Sequence, residues 1–129
     1  MTNMIGEIDI SNFLNARDQF EKYRKNIVKD QERAGAIQAF EFTYEMAWKI
    51  MKRLLVEQGI IDINSPKSCF REAAKIGMIS EPKNWFHFIE IRNLTVHTYS
   101  EQNVEKVIAS FEDFSKLLNE FLSNIEKIK

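Results

Sequence analysis

The chain has 129 residues, of which 44% are hydrophobic, with 18 basic and 19 acidic side chains and a formal charge of −1. That is enough sequence for one domain with a packed core, and too nearly neutral to hold nucleic acid by bulk electrostatics alone. The single cysteine, Cys69, excludes an internal disulfide and a cysteine-built metal centre, and suits a reducing cytoplasm.

Residues 1–9 read as a frayed start, without the basic and apolar regions of a signal peptide. A first helix is predicted from Ser11, its candidate N-cap, to about Lys29, with Phe13, Phe20 and Ile27 recurring every seven residues. A second spans about Glu32 to Gln58. Its stripe is Ile37, Phe40, Tyr44, Ala47, Met51 and Leu54, and Gly59 stands where a left-handed residue ends a helix. Phe42 and Trp48 lie off that stripe and read as part of a wide buried face, with a docking surface as the alternative. Ser65-Pro66 opens a short helix that stops at Gly77. Ser80-Glu81-Pro82 opens another, carrying Trp85, Phe88 and Ile89. A last helix is predicted from about Glu101 to Ile128. Scarce Gly and Pro agree with long helices, and no apolar run approaches the ~18 residues that a membrane-spanning helix needs. The pattern predicts an all-α, up-and-down four-helix bundle with one additional short helix, a single domain over residues 1–129.

Much familiar chemistry is missing from the sequence. The glycines are isolated, so there is no phosphate-cradling loop, and neither H-E-x-x-H nor a G-x-S-x-G turn occurs. A nucleotidyltransferase needs a Gly-Ser turn and acidic metal ligands on a strand; without them the chain is not expected to transfer nucleotides itself. Glu41 and Glu45, one turn apart, look like half of a di-metal carboxylate site, yet the Glu-x-x-His pairs of such bundles are missing. They read as a solvated face, with a salt bridge between one of them and Arg92 as the intermediate option, and no metal is expected. His87, among aromatics in Trp85-Phe86-His87-Phe88, reads as a packing or surface histidine.

The concentrated signal is Arg92-Asn93-Leu94-Thr95-Val96-His97-Thr98-Tyr99, near a junction of two helices. Such a junction frees backbone N–H groups and lets side chains converge. Arginine holds phosphate by two parallel hydrogen bonds, and histidine titrates near neutrality. Arg92 and His97 together suit metal-free phosphodiester cleavage, with His97 moving a proton and Arg92 stabilising charge on phosphorus oxygens. Asn93 and Thr98 add supporting or binding groups. One histidine does one job, and a symmetric dimer can bring a second copy. The residues leave a plain alternative open: Arg92 pairs with a carboxylate, His97 caps a helix and Tyr99 packs.

Arg33-Ala34-Gly35-Ala36-Ile37-Gln38-Ala39-Phe40-Glu41-Phe42-Thr43-Tyr44-Glu45-Met46-Ala47-Trp48-Lys49 resembles the signature of the nucleotidyltransferase substrate-binding protein family, within the HEPN superfamily of helical bundles. Ser65-Pro66-Lys67, Arg71-Glu72-Ala73, Gly77-Met78-Ile79, Arg92-Asn93 and His97-Thr98-Tyr99 follow in the same order, so the resemblance covers roughly residues 10–125. It implies a homodimeric partner of a separately encoded minimal nucleotidyltransferase, which carries the Mg²⁺ and ATP while this chain binds substrate or nucleotide. It implies as an alternative a metal-independent RNase toxin of a toxin–antitoxin pair. In that case Arg92 and His97 are catalytic, and AMP addition at Tyr99 silences the protein.

Overall fold

A computed structural model describes residues 3–128. The fold is all-α apart from a short hairpin at its start. Strands β1 (Met4–Ile5) and β2 (Ile8–Asp9) pair antiparallel, Met4 opposite Asp9 and Ile5 opposite Ile8. The expected frayed start over 1–9 is therefore corrected from residue 4 onward, while residues 1 and 2 lie outside the described residues. Gly6, at φ +60°, makes the tight turn, and Ile5, Ile8 and Ile10 are all buried. Burying side chains of that size stabilises by about 1.5–3 kcal/mol each.

Helix α1 (Ser11–Arg24) starts on a carboxylate rather than on Ser11. The Ser11 backbone N–H donates to Asp9 Oδ1 (2.9 Å), and the Ser11 hydroxyl donates to the same oxygen. These bonds, the hydroxyl's first, hold the exposed Asp9 carboxyl below its usual range. α1 ends at Arg24, short of Lys29, where Asn26 Nδ2 donates to the Lys22 carbonyl (2.8 Å). Helix α2 (Asp30–Glu57) begins when Glu32 accepts from the backbone N–H groups of Lys29 (2.7 Å) and Val28 (3.1 Å). It ends at Gly59, φ +87°, whose N–H reaches the Val56 carbonyl while that of Ile60 reaches Leu55. Helix α3 (Pro66–Lys75) carries the Ser65 cap, which accepts from Ser68 N–H (3.2 Å). Helix α4 (Pro82–Leu94) tightens into a 3-10 turn, Thr95–His97.

The single last helix is corrected to two, α5 (Glu101–Ala109) and α6 (Phe111–Glu126). Ser110 is the break: its hydroxyl donates to the Val107 carbonyl (2.6 Å), the local competition by which serine interrupts a helical ladder. Val107 is fully buried on α5 and Ile108 only partly.

α2 packs against α1, α3 and α5, and α6 against α1 and α4. Phe40 is the hub of the core. Its ring lies 4.8 Å from Phe114, 5.6 Å from Phe111, 6.1 Å from Phe88 and 6.4 Å from Phe20, centroid to centroid. The buried Thr43 hydroxyl donates to the Ala39 carbonyl (2.7 Å) and sits 3.1 Å from that of Ala16, so α1 and α2 are joined by polar contact as well. The wide buried face of α2 stops short of Phe42, which is 57% exposed.

Cys69 is fully buried, with its Sγ 3.4 Å from the Trp48 carbonyl, and burial pushes its thiol up to about 12. Because the folded value lies above the ordinary 9.0, this contribution to stability is complete below pH 9 and is lost as pH rises through the folded value. Native protein is expected to leave an aromatic disulfide reagent unreacted at pH 8, with one thiol titrating on addition of denaturant; prompt native reaction would place Cys69 outside the core.

Candidate functional site

The site forms where α4 gives way to its 3-10 turn against the first half of α2. Trp85, Phe88 and Ile91 bury one side of α4, which leaves Arg92 on the flank facing α2, half-buried. Its Nη1 lies 3.2 Å from Glu41 Oε2, and its Nε lies 3.4 Å from Glu45 Oε1. Nη1 also donates to Thr95 Oγ1 (2.9 Å), and that hydroxyl donates to the Arg92 carbonyl (2.6 Å). Thr95 is buried and fixes both ends of the arginine. Glu45 is held in turn by Trp48, whose Nε1 donates to Oε2 (3.0 Å). The Nε contact is an ion pair without hydrogen-bond geometry, so this buried donor has no hydrogen-bonding partner among the described residues.

Beyond Thr95 the chain turns outward. Val96, His97, Thr98 and Tyr99 are exposed, Tyr99 at 86%. The His97 backbone is nevertheless anchored, because its carbonyl accepts from Asn103 Nδ2 (3.1 Å) and Ser100 N–H (3.3 Å). Its ring meets that of Tyr99 edge-on at 5.8 Å, with the Tyr99 hydroxyl 3.5 Å from His97 Nδ1. Ser100 caps α5, accepting from Asn103 N–H (3.4 Å). Arg33 then ties the start of α2 to the start of α5 through Glu101 and binds Asp30 as well (3.2 Å). The hydrogen bond to Glu101 is the main cause raising the Arg33 guanidinium above its ordinary value.

Of the residues singled out in the sequence, Arg92, Glu41 and Glu45 come together, and so do His97 and Tyr99. Among the described residues no hydrogen bond or ring contact joins the Arg92 guanidinium to the His97 imidazole. Thr98 borders a depression of about 350 Å³ between α2 and the 95–104 segment, and Asn93 is exposed on α4. His87 is exposed, its ring edge-on to Phe88 at 5.2 Å. The plain alternative holds for the Arg92 carboxylate pair, but not for Tyr99, which does not pack. Sequence reasoning missed Thr95, Asn103, Arg33 and Glu101. Only Thr95 carried a usable signal, lying one helical turn beyond Arg92.

The arrangement offers a guanidinium oriented by two carboxylates, with an exposed imidazole and phenol one turn away. Asp30, Glu41, Glu45 and Glu101 set four carboxylates against the guanidiniums of Arg33 and Arg92, an acidic setting for a long polyanion.

Residues 8–127 match the protein family described as nucleotidyltransferase substrate binding protein like. Over 93 residues, 69% of this chain, the sequence is 40% identical to a Haemophilus influenzae Rd protein named probable ribonuclease HepT. That match spans 64% of the relative's own length. A Thermus thermophilus protein of known structure superposes with a TM-score of 0.81 at 28% identity, over 88% of this chain and 98% of its own. A Haemophilus influenzae structure, described as revealing the fold of a substrate binding domain of a nucleotidyltransferase, gives 0.81 at 29% identity, over 91% and 98%. Among the described residues no helix is long and apolar enough to cross a membrane.

Proposed function

The chain belongs to the nucleotidyltransferase substrate binding protein like family, and from that premise we propose that it is the partner subunit of a separately encoded minimal nucleotidyltransferase. In this reading it acts in the cytoplasm as a homodimer, and the partner carries the Mg²⁺ and ATP. Its own part is to bind a nucleotide or a nucleotide-bearing substrate at Arg92 and the adjoining 95–99 turn. The observation that carries the reading is the placement of Arg92. A guanidinium half out of water, held by Glu41, Glu45 and Thr95, is ready to exchange a carboxylate oxygen for a phosphate oxygen. The acidic surroundings favour a small ligand over a long polyanion. Calorimetric titration with AMP and with GMP tests it: saturable binding is expected for wild type and a flat trace for Arg92→Ala, and flat wild-type traces with both nucleotides sink the reading.

A second reading, a metal-independent RNase silenced by AMP addition at Tyr99, is favoured by two observations. One is the similarity to a relative named as a probable ribonuclease. The other is the exposure of the Tyr99 hydroxyl beside His97, where a modifying enzyme can reach it. Cleavage of RNA in EDTA by wild type, absent in His97→Ala, is the outcome this reading requires. No cleavage by protein whose Tyr99 is unmodified by mass spectrometry removes it.

A further inference from the structure

The depression of about 350 Å³ beside Arg92 is not accounted for by a phosphate-binding arginine alone. Its lining is mixed: the buried Ile37 and Val104 supply apolar contact, and Ala34 lies at its exposed edge, among polar side chains. Apart from Arg33, its polar groups are acceptors or hydroxyls: Asp30, Glu41, Thr95, Thr98 and Glu101. The space exceeds a purine base and is far too small for a folded partner. Apolar contact from Ile37 and Val104 with acceptors around it suits a flat heterocycle that presents N–H donors, not a phosphate or a carboxylate.

We infer that this depression is a nucleobase pocket selective for guanine, and that Glu41 joins it to the phosphate site. The inference rests on the nucleotide-binding reading above. Glu41 borders the pocket and gives Oε2 to Arg92, which leaves Oε1 and the remaining lone pairs for a second partner. Guanine alone among the common bases sets two N–H donors side by side, on N1 and N2, matching the two oxygens of one carboxylate. Uracil flanks its single N–H with two carbonyls, which a carboxylate repels. Thr95 stands at the same boundary, lining the pocket while bonding Arg92. On the outer side Arg33 is held by Glu101 and Asp30, a planar cation fixed where it can stack on a base.

The test is an amide ¹H–¹⁵N titration of the whole protein with GMP, AMP, UMP and inorganic phosphate at one salt concentration. GMP is expected to bind at least ~10-fold more tightly than AMP, UMP or phosphate, a modest discrimination for paired hydrogen bonds, with shifts at Ala34, Thr95 and Thr98. Ala34→Leu, a good helix former at an exposed position, should bring GMP to the affinity of phosphate and leave phosphate unchanged. Equal binding of GMP and either AMP or UMP, or no effect of Ala34→Leu, overturns the pocket while Arg92-dependent binding of all the ligands keeps the nucleotide reading. Absence of binding by every ligand overturns both.

Discussion

Replacing Phe40 by alanine is expected to lower the free energy of unfolding by about 3–5 kcal/mol, the range for truncating a buried phenylalanine. The ring is fully buried and lies within 6.4 Å, centroid to centroid, of four other phenylalanine rings contributed by α1, α4 and α6 in company. No single helix can shift to refill the space, so the cavity stays open. Against a total stability of ~5–15 kcal/mol for a domain of this kind, the variant should be close to unfolding at physiological temperature. Phe42→Ala, two residues along the same helix, provides the control. Its ring is 57% exposed, and the change should stay within about 0.5 kcal/mol. Urea unfolding followed by circular dichroism reads both. A Phe40→Ala cost below about 1 kcal/mol would show that the core is not organised around this ring.

Phe40 was legible because it sits in the middle of a long, regular stripe, where burial follows from period alone. The boundaries that escaped were set by single polar side chains acting locally. Ser11, a candidate cap by residue type, is instead the first helical residue after Ile10, and its N–H is taken by Asp9 from the end of the hairpin. The hairpin is hidden by its length: two residues per strand are too few for an alternating pattern, although Ile5-Gly6-Glu7-Ile8 does hold a turn glycine between apolar neighbours. The break at Ser110 has no glycine or proline to announce it. It rests on a hydroxyl choosing the Val107 carbonyl, which spacing does not reveal. The site divides in the same way. A salt bridge from Arg92 to one of Glu41 and Glu45 was readable as an option beside a solvated face; that both carboxylates take the one guanidinium was not, because spacing along α2 does not show where α4 sets Arg92. Arg33 with Glu101 spans 68 positions, and nothing local points from one to the other.

Arg92→Lys is expected to separate what the arginine does for the fold from what it does for a ligand. Lysine keeps the positive charge between Glu41 and Glu45, which otherwise sit as like charges one turn apart. These groups are partly exposed, with side-chain exposures of 28% for Arg92, 29% for Glu41 and 36% for Glu45, so solvent screens them and the pairing is worth only about 1 kcal/mol. Arg92→Lys should therefore unfold within about 0.5 kcal/mol of wild type, and Arg92→Ala about 1 kcal/mol below it. The effect on ligand is larger. An ammonium is a point charge that cannot grip two oxygens while keeping Thr95 and a carboxylate, so AMP binding should weaken at least ~10-fold in Arg92→Lys, as expected for a lost charge-assisted bidentate contact. In the ribonuclease reading, cleavage should fall by about 10²-fold or more, the usual consequence of losing one group that stabilises developing charge. Arg92→Ala combined with Glu41→Gln supplies the converse, since removing the like-charge pair should restore stability and leave binding absent. If Arg92→Lys binds as well as wild type, Arg92 serves the fold through its ion pairs, and the ligand site has to be sought at His97 and Tyr99.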